Sequence, residues 1–182
     1  MKTLKLSFLM LLLSSITFAQ KFNPEIKDGS TMGAYAIMGG DEIEVVFTLS
    51  KSDNGLGMKW AVLGYGEGVF QMSKAAVENG KSIFAGQPAP GVVTLGDHET
   101  FGLVSKSAFK QLKEQNTFEY NSFKFLNKVP SETFKLNGKE ADVMHVVSEN
   151  GAMKLWILNN PDFPLIVQSS GMPIDIIVTD IK

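Results

Sequence analysis

Three consecutive residues, Asp97, His98 and Glu99, form the one place in the sequence where an imidazole stands beside carboxylates. Such a set could hold a metal ion or transfer a proton if further groups converged on it from elsewhere in the chain. The preceding Gly96 indicates a turn, so a solvated turn without chemistry is the alternative interpretation.

Ser107 and Lys110 lie three residues apart at the start of a predicted helix. In S-x-x-K hydrolases the serine is the nucleophile and the lysine helps to activate it. The companion S-D-N motif, Ser52–Asn54, comes before the pair instead of after it, and no K-T-G motif follows. The pair is therefore predicted to belong to the surface of a lysine-rich helix.

The remaining polar motifs predict neither a cofactor nor a metal site. The glycine-rich stretch 64–68 stands between two predicted strands, which indicates a hairpin and not a dinucleotide-binding loop. His145 is flanked by Met144 and Val146, as expected of a half-buried strand histidine. No calcium-loop motif occurs in the sequence.

Composition excludes several classes of function. All 17 basic residues among the 182 are lysines, the formal net charge is −2, and cysteine is absent. Arginine is the side chain best suited to bidentate recognition of phosphates and guanine edges, so nucleic-acid binding is not expected. The lack of cysteine excludes a disulfide scaffold and cysteine-ligated zinc.

The N-terminus has the pattern of a secretory signal peptide. Lys2 and Lys5 are followed by an apolar run that ends in Thr17-Phe18-Ala19. We predict a signal peptide at residues 1–19, with cleavage near Ala19/Gln20, and a mature β-rich domain at residues 20–182 that is periplasmic or secreted. The run is shorter than the roughly 20 residues that span a bilayer, so no transmembrane span is expected.

Alternating and β-branched runs, separated by Gly, Asn and Asp, predict antiparallel strands through most of the chain. The predicted strands are Met32–Met38, Glu42–Ser50, Met58–Leu63, Val69–Met72, Val92–Leu95, Thr100–Val104, Phe123–Lys128, Thr133–Leu136, Lys139–Val147, Met153–Leu158, Leu165–Ser169 and Ile174–Asp180. Ser73 and Ser105 are predicted N-caps of two short helices, 74–79 and 106–115. Asn137-Gly138 predicts a tight hairpin.

These elements predict an α+β fold, in which two short helices pack against a strongly twisted antiparallel sheet. The stiff connector Gln87–Pro90 is a possible internal boundary, at which the strands could divide into two sheets. Apolar residues on both faces of the run 155–167 indicate a buried central strand. Trp156 and Phe163 in this run, together with Trp60, are predicted core anchors that could instead line an apolar ligand cavity.

Three stretches carry a resemblance to known proteins: Thr100–Lys113, Leu136–Asp142 and Trp156–Leu165. They resemble a group of uncharacterised exported proteins of Gram-negative bacteria, over about half of the predicted mature chain. The closing hairpin, strand and Pro-rich turn are similar in layout to periplasmic lipoprotein carriers, whose sheet forms a half-barrel. Those carriers often hold the lipoprotein through an arginine, which this chain lacks.

We therefore expect an exported, non-enzymatic protein of the cell envelope that binds an apolar small molecule or a protein partner. Abundant Phe and Met on predicted sheet faces favour this expectation. Two alternatives remain open. One is a small periplasmic hydrolase using Asp97, His98 and Glu99 or the Ser107/Lys110 pair, and the other is an accessory subunit of an envelope assembly.

Overall fold

Strands make up about half of residues 21–182, which are the residues that the computed structural model describes. The predicted signal peptide at residues 1–19 lies outside them. The strands are β1 (Thr31–Met38), β2 (Asp41–Ser52), β3 (Gly55–Val62), β4 (Gly66–Ser73), β5 (Ser82–Ile83), β6 (Gly91–Thr94), β7 (Glu99–Thr100), β8 (Thr117–Tyr120), β9 (Phe123–Asn127), β10 (Lys135–Leu136), β11 (Lys139–Glu140), β12 (Val143–Ser148), β13 (Lys154–Leu158), β14 (Ile166–Ser170) and β15 (Asp175–Ile181). The helices are α1 (Lys74–Asn79) and α2 (Lys106–Gln115).

Eleven strands form one sheet, in the order β6-β4-β3-β2-β1-β15-β14-β13-β12-β9-β8. The β-rich prediction is confirmed, but the protein is mostly sheet instead of clearly α+β, because its helices have only 6 and 10 residues. The interpretation as two sheets divided near Gln87–Pro90 is wrong. After this connector the chain returns to the same sheet, since β6 pairs with β4.

The sheet is also not purely antiparallel, because β6 runs parallel to β4. A second parallel pair, β5 with β7, and an antiparallel pair, β10 with β11, form separate two-stranded sheets. The short β5 and the edge strand β8 were not predicted. Each has only two to four residues, too few to establish a clear alternation.

Alternation along β2 separates the two faces of the main sheet. Val45, Phe47 and Leu49 are buried, whereas Glu44 and Val46 between them are exposed. We call the face that carries the buried set the inner face. The registers of β1, β15, β14, β13 and β12 place Leu155 and Val146 on this face as well.

Both helices begin where the sequence predicts. The Ser73 hydroxyl accepts a hydrogen bond from the Ala76 N–H (3.1 Å), and Ser105 accepts one from the Ala108 N–H (3.3 Å). The predicted apolar positions of α2 are buried, among them Phe109, in a cluster that includes residues of β12 and β13. This helix therefore covers part of the inner face.

Gly80 ends α1 as predicted, but not through a left-handed conformation, because its φ is −53°. A Cβ atom at this position would lie 2.6 Å from the Ala76 carbonyl oxygen and 3.0 Å from Thr100 Cγ2. Close packing explains the glycine here. By contrast, α2 ends at Asn116 with a φ of 58°, which is a left-handed cap.

The predicted strand at 139–147 is interrupted at Ala141 and Asp142. Phe22 donates its N–H to the Glu140 carbonyl and accepts a hydrogen bond from the Asp142 N–H, at 2.7 and 2.8 Å. The N-terminal segment thus takes the backbone partners at this point, which separates β11 from β12. The hairpin prediction at Asn137-Gly138 is confirmed by φ values of 53° and 72°.

Candidate ligand-binding site

A cavity of about 240 Å³ lies against the inner face of the main sheet. Its walls come from both halves of the sheet and from the loops at one end of it. The strand residues that line it are Ala36, Met38, Ile43, Val45, Phe47, Trp60, Val62, Phe70, Ile83, Leu155, Ile166, Ser169 and Ile176. The loop residues are Tyr65, Phe84, Ala85, Gly86, Pro88, Phe101, Gly102, Met172, Pro173 and Ile174.

Four phenylalanines form a continuous aromatic wall in this cavity. The ring of Phe70 lies 4.1 Å from that of Phe101 and 5.4 Å from that of Phe84, measured between centroids. Phe101 in turn lies 5.9 Å from Phe47. Two of these rings stand on strands and two on loops, so the wall fastens the loops to the sheet.

Few polar atoms are available to a ligand inside the cavity. The Ser169 hydroxyl donates to Asp175 Oδ1 (3.1 Å) and accepts from the Ile176 N–H (2.9 Å). The indole N–H of Trp60 is buried without a hydrogen-bond partner in residues 21–182. Since burying a charge without a partner is very costly, the interior suits an uncharged, apolar group.

Exposed lining residues mark the mouth of the cavity: Met38, Tyr65, Ala85, Gly86 and Pro173. They lie at the end of β1 beside the β1–β2 turn, in the β3–β4 and β14–β15 turns, and in the loop that follows β5. All three turns lie at the same end of the sheet, as the strand pairings require.

We call residues 84–90 the strap, because they pass over one side of the mouth. The Phe84 N–H donates to the Thr100 carbonyl (2.7 Å) at one end of the strap. The other end joins β6, whose Gly91 pairs with Gly68. Between these two points the side chains of Phe84 and Pro88 line the cavity.

The three aromatic residues predicted as ligand contacts are not brought together. Trp60 lines the cavity. Trp156 stands on the opposite face of the sheet and packs against His145, with ring centroids 4.4 Å apart and the rings tilted by 34°. Phe163 lies under the ammonium group of Lys51, whose Nζ is 4.4 Å from the ring centroid.

Asp97, His98 and Glu99 form the turn before and at the start of β7. Glu99 Oε2 accepts a hydrogen bond from the Gly96 N–H (3.2 Å), and the His98 carbonyl accepts from the Lys81 N–H (2.8 Å). The side chains of Asp97 and His98 are exposed. Within residues 21–182, no group of three or more acidic or histidine side chains is arranged to hold a metal ion.

Ser107 and Lys110 lie in the first half of α2. The Ser107 hydroxyl is 3.3 Å from the Ser105 hydroxyl, and Lys110 Nζ is 3.9 Å from Glu114 Oε1. The described hydrogen bonds of Ser107 thus include no imidazole or ammonium group that could act as its base. The arrangement is that of a solvated helix surface.

Sequence reasoning missed the aromatic wall as a site. Alternation in β2 and β4 places Phe47 and Phe70 on the inner face, so that part of the signal was present in the sequence. Phe84 and Phe101 lie outside the main sheet, and their approach to Phe70 depends on the return of the chain through β6. The only feature of the composition that points to an aromatic wall is the number of phenylalanines, 13 against two tryptophans and three tyrosines.

A scan against models of known protein families finds no match, and a sequence comparison with curated proteins finds none either. The resemblance to exported proteins and to lipoprotein carriers therefore stays a prediction. In residues 21–182, no helix combines the length and the apolar character needed to cross a bilayer.

Proposed function

We propose that this protein is an exported, non-enzymatic binding protein that holds an apolar ligand in the cavity on the inner face of its sheet. The observation that carries the proposal is the apolar lining of that cavity, with its aromatic wall. Apolar pockets with few polar groups are the usual form of small-molecule sites in proteins.

The size of the cavity limits the ligand. At about 240 Å³ it lies just below the roughly 300–1,000 Å³ of pockets that enclose drug-sized molecules. A slender apolar group, such as an alkyl chain or a single small ring, fits this space better than a large fused-ring system. Phe84 on the strap and Tyr65 at the mouth would contact the ligand where it enters.

A pair of matched variants tests the proposal. Ala36 lines the cavity from β1, and Ala36→Phe should fill part of the space without adding a polar atom. Ala61 lies on the outer face of β3, one residue before the strand ends at the same end of the sheet, so Ala61→Phe adds the same volume outside the cavity. The measurements are native mass spectrometry of protein purified without detergent and titration with a fluorescent apolar probe.

Copurified ligand and probe binding are expected in the natural protein and in Ala61→Phe, and loss of both is expected in Ala36→Phe. Thermal unfolding of both variants shows whether they fold. If the folded natural chain carries no ligand and binds no probe, or if Ala36→Phe binds as well as Ala61→Phe, the proposal is wrong.

A second candidate function, an accessory subunit of an envelope assembly, is favoured by the exposed apolar turn tips. Leu63 is fully exposed and Tyr65 is 71% exposed, both in the β3–β4 turn, and Met38 at the end of β1 is 44% exposed. A Leu63→Ser variant changes an exposed turn residue that does not line the cavity. Loss of a crosslinked partner in this variant, with probe binding retained, would favour the subunit.

The hydrolase alternative is tested with His98→Ala and Ser107→Ala. His98 is exposed, and Ser107 is half-buried with a hydrogen bond only to the Ser105 hydroxyl among the described contacts, so neither change should alter probe binding or greatly alter stability. A screen of ester, peptide and glycoside substrates that found an activity lost in either variant would favour the hydrolase.

A further inference from the structure

We infer that the ligand is an amphiphile whose polar end is cationic, and that the cavity discriminates against anionic amphiphiles. This inference rests on the proposed function and deepens it. Its first step is that any polar end must stay at the mouth. The interior hydroxyl of Ser169 is already engaged by Asp175 and Ile176, and a charge buried without a partner is strongly disfavoured.

The second step is the charge of the mouth. Four segments carry the lining residues around it: 36–45, 60–70, 83–88 and 169–176. Together they contain five carboxylates and not one lysine. The carboxylates are Asp41, Glu42, Glu44, Glu67 and Asp175.

These carboxylates are not equally compensated. Glu67 forms an ion pair with Lys59 (2.7 Å), on the strand beside it. Asp175 accepts hydrogen bonds from the Ser169 hydroxyl and from the N–H groups of Gly171 and Met172. Asp41, Glu42 and Glu44 are exposed and have no ion-pair partner within residues 21–182.

The β1–β2 hairpin determines where the three carboxylates without an ion-pair partner, Asp41, Glu42 and Glu44, lie relative to the cavity. Asp41 is paired directly with Met38, a residue of the mouth. Glu42 and Glu44 alternate with Ile43 and Val45 of the cavity wall, so their side chains lie on the outer face of β2, beside the mouth and not inside the cavity. Asp41 therefore places its charge at the mouth, and Glu42 and Glu44 add to the negative field of the same hairpin from the other face of the strand. An ammonium end is attracted there, whereas a carboxylate or phosphate end is repelled.

The test uses three ligands that share one alkyl chain: dodecyltrimethylammonium, dodecyl maltoside and dodecanoate, each below its micelle concentration. Titration calorimetry of the delipidated protein should give the tightest binding for the ammonium compound and the weakest for dodecanoate, with a difference of about tenfold or more at low salt. The difference should shrink as salt rises from about 0.01 M to about 1 M, because the Debye length falls from about 30 Å to about 3 Å.

Two triple variants, each of which removes three negative charges, show which carboxylates cause the preference for the ammonium compound. Asp41→Asn/Glu42→Gln/Glu44→Gln should remove most of the preference and leave dodecyl maltoside binding unchanged. The control, Asp162→Asn/Glu132→Gln/Glu25→Gln, changes exposed carboxylates outside the four segments and should keep the preference.

The outcomes separate the inference from the function on which it rests. Equal binding of the three ligands, tighter binding of dodecanoate, or an equal effect of the two triple variants overturns the inference while the proposed function stands. If none of the three ligands binds and Ala36→Phe has no effect on copurified material, the proposed function fails with it.

Discussion

His145 on β12 lies directly opposite Trp156 on β13, and their rings are 4.4 Å apart on the outer face of the sheet. The imidazole is only 9% exposed, and neither of its nitrogens has a hydrogen-bond partner within residues 21–182. Burial is the main reason that the pKa of His145 lies below its ordinary value. The Lys128 backbone raises this pKa in part, and the Lys154 ammonium lowers it. The neutral ring is therefore the form that the fold accepts.

The lowered pKa of His145 predicts a loss of stability in mild acid. Below the ordinary pKa of about 6.5 the unfolded chain binds a proton that the folded chain resists. The free energy of unfolding should thus fall as the pH decreases through this value towards the folded-state pKa. Urea denaturation between about pH 5.5 and pH 8 measures the effect, above the range in which ordinary carboxylates titrate.

Replacing the imidazole with a ring that has no polar atoms should remove this pH dependence. His145→Phe eliminates two buried nitrogens without partners, so we expect it to be neutral or stabilising at pH 7, by up to about 1–2 kcal/mol. His98→Phe, at an exposed turn position, is the matched control and should keep the dependence on pH. A steep acid slope that persists in His145→Phe would contradict the explanation.

Tyr120 holds a buried polar junction between β7, β8 and the start of α2. Its hydroxyl accepts a hydrogen bond from the Ser105 N–H (3.0 Å) and lies 2.9 Å from Thr100 Oγ1. Thr100 donates its own proton to the Leu103 carbonyl (2.7 Å), so Tyr120 is the donor between the two hydroxyls. Burial is the main reason that the pKa of Tyr120 is raised.

Tyr120→Phe should destabilise the protein by about 1–3 kcal/mol, because the buried Ser105 N–H loses its acceptor. Tyr65→Phe removes the same atom from a residue that is 71% exposed, and its effect should be within about 0.5 kcal/mol of zero. The free energies of unfolding come from urea denaturation. Equal changes in the free energy of unfolding for the two variants would show that the hydrogen bonds of the Tyr120 hydroxyl do not stabilise the protein.

Asn137 joins the β10–β11 turn to the last strand. Its side chain donates to the Ile181 carbonyl and accepts from the Ile181 N–H, both at 2.9 Å. Asn137→Gly keeps the left-handed backbone but loses both hydrogen bonds, and should cost about 1–3 kcal/mol by urea denaturation. Asn137→Asp keeps the acceptor and should cost less. A larger loss for Asn137→Asp would mean that charge, and not pairing, governs this site.

This asparagine shows what a local pattern contains and what it lacks. The Asn-Gly pair predicts a tight turn because both residues accept positive φ at low cost, and the turn is there. Nothing in the pair predicts the contact with Ile181, which is 44 residues away. That contact depends on the order of strands in the sheet.

The same reasoning applies to the cavity. The alternation that buries Phe47 and Phe70 is local and could be predicted from the sequence. The prolines of the connector Gln87–Pro90 indicate a possible boundary between sheets, because proline interrupts regular structure. The pairing of β6 with β4 beyond it is a long-range, parallel contact without a local pattern, and this pairing brings the strap over the cavity.

Gly68 determines how closely the strap approaches Trp60. A Cβ atom on Gly68 would lie 2.5 Å from the Ala89 carbonyl oxygen and 2.8 Å from the Trp60 indole nitrogen. Gly68→Ala should therefore displace the strap or the indole, change the emission of Trp60 in a Trp156→Phe background, and weaken apolar probe binding several-fold.

Gly96→Ala is the matched control for this change. A Cβ atom there would approach the exposed side chain of His98, at 3.0 Å from Cε1, which can move away. Its emission and probe affinity should equal those of the background protein. If Gly68→Ala also leaves both unchanged, the close approach of the strap to Trp60 does not control access to the cavity. If Gly68→Ala shifts the emission but not the affinity, ligands enter at the turn tips beside Tyr65 instead of under the strap.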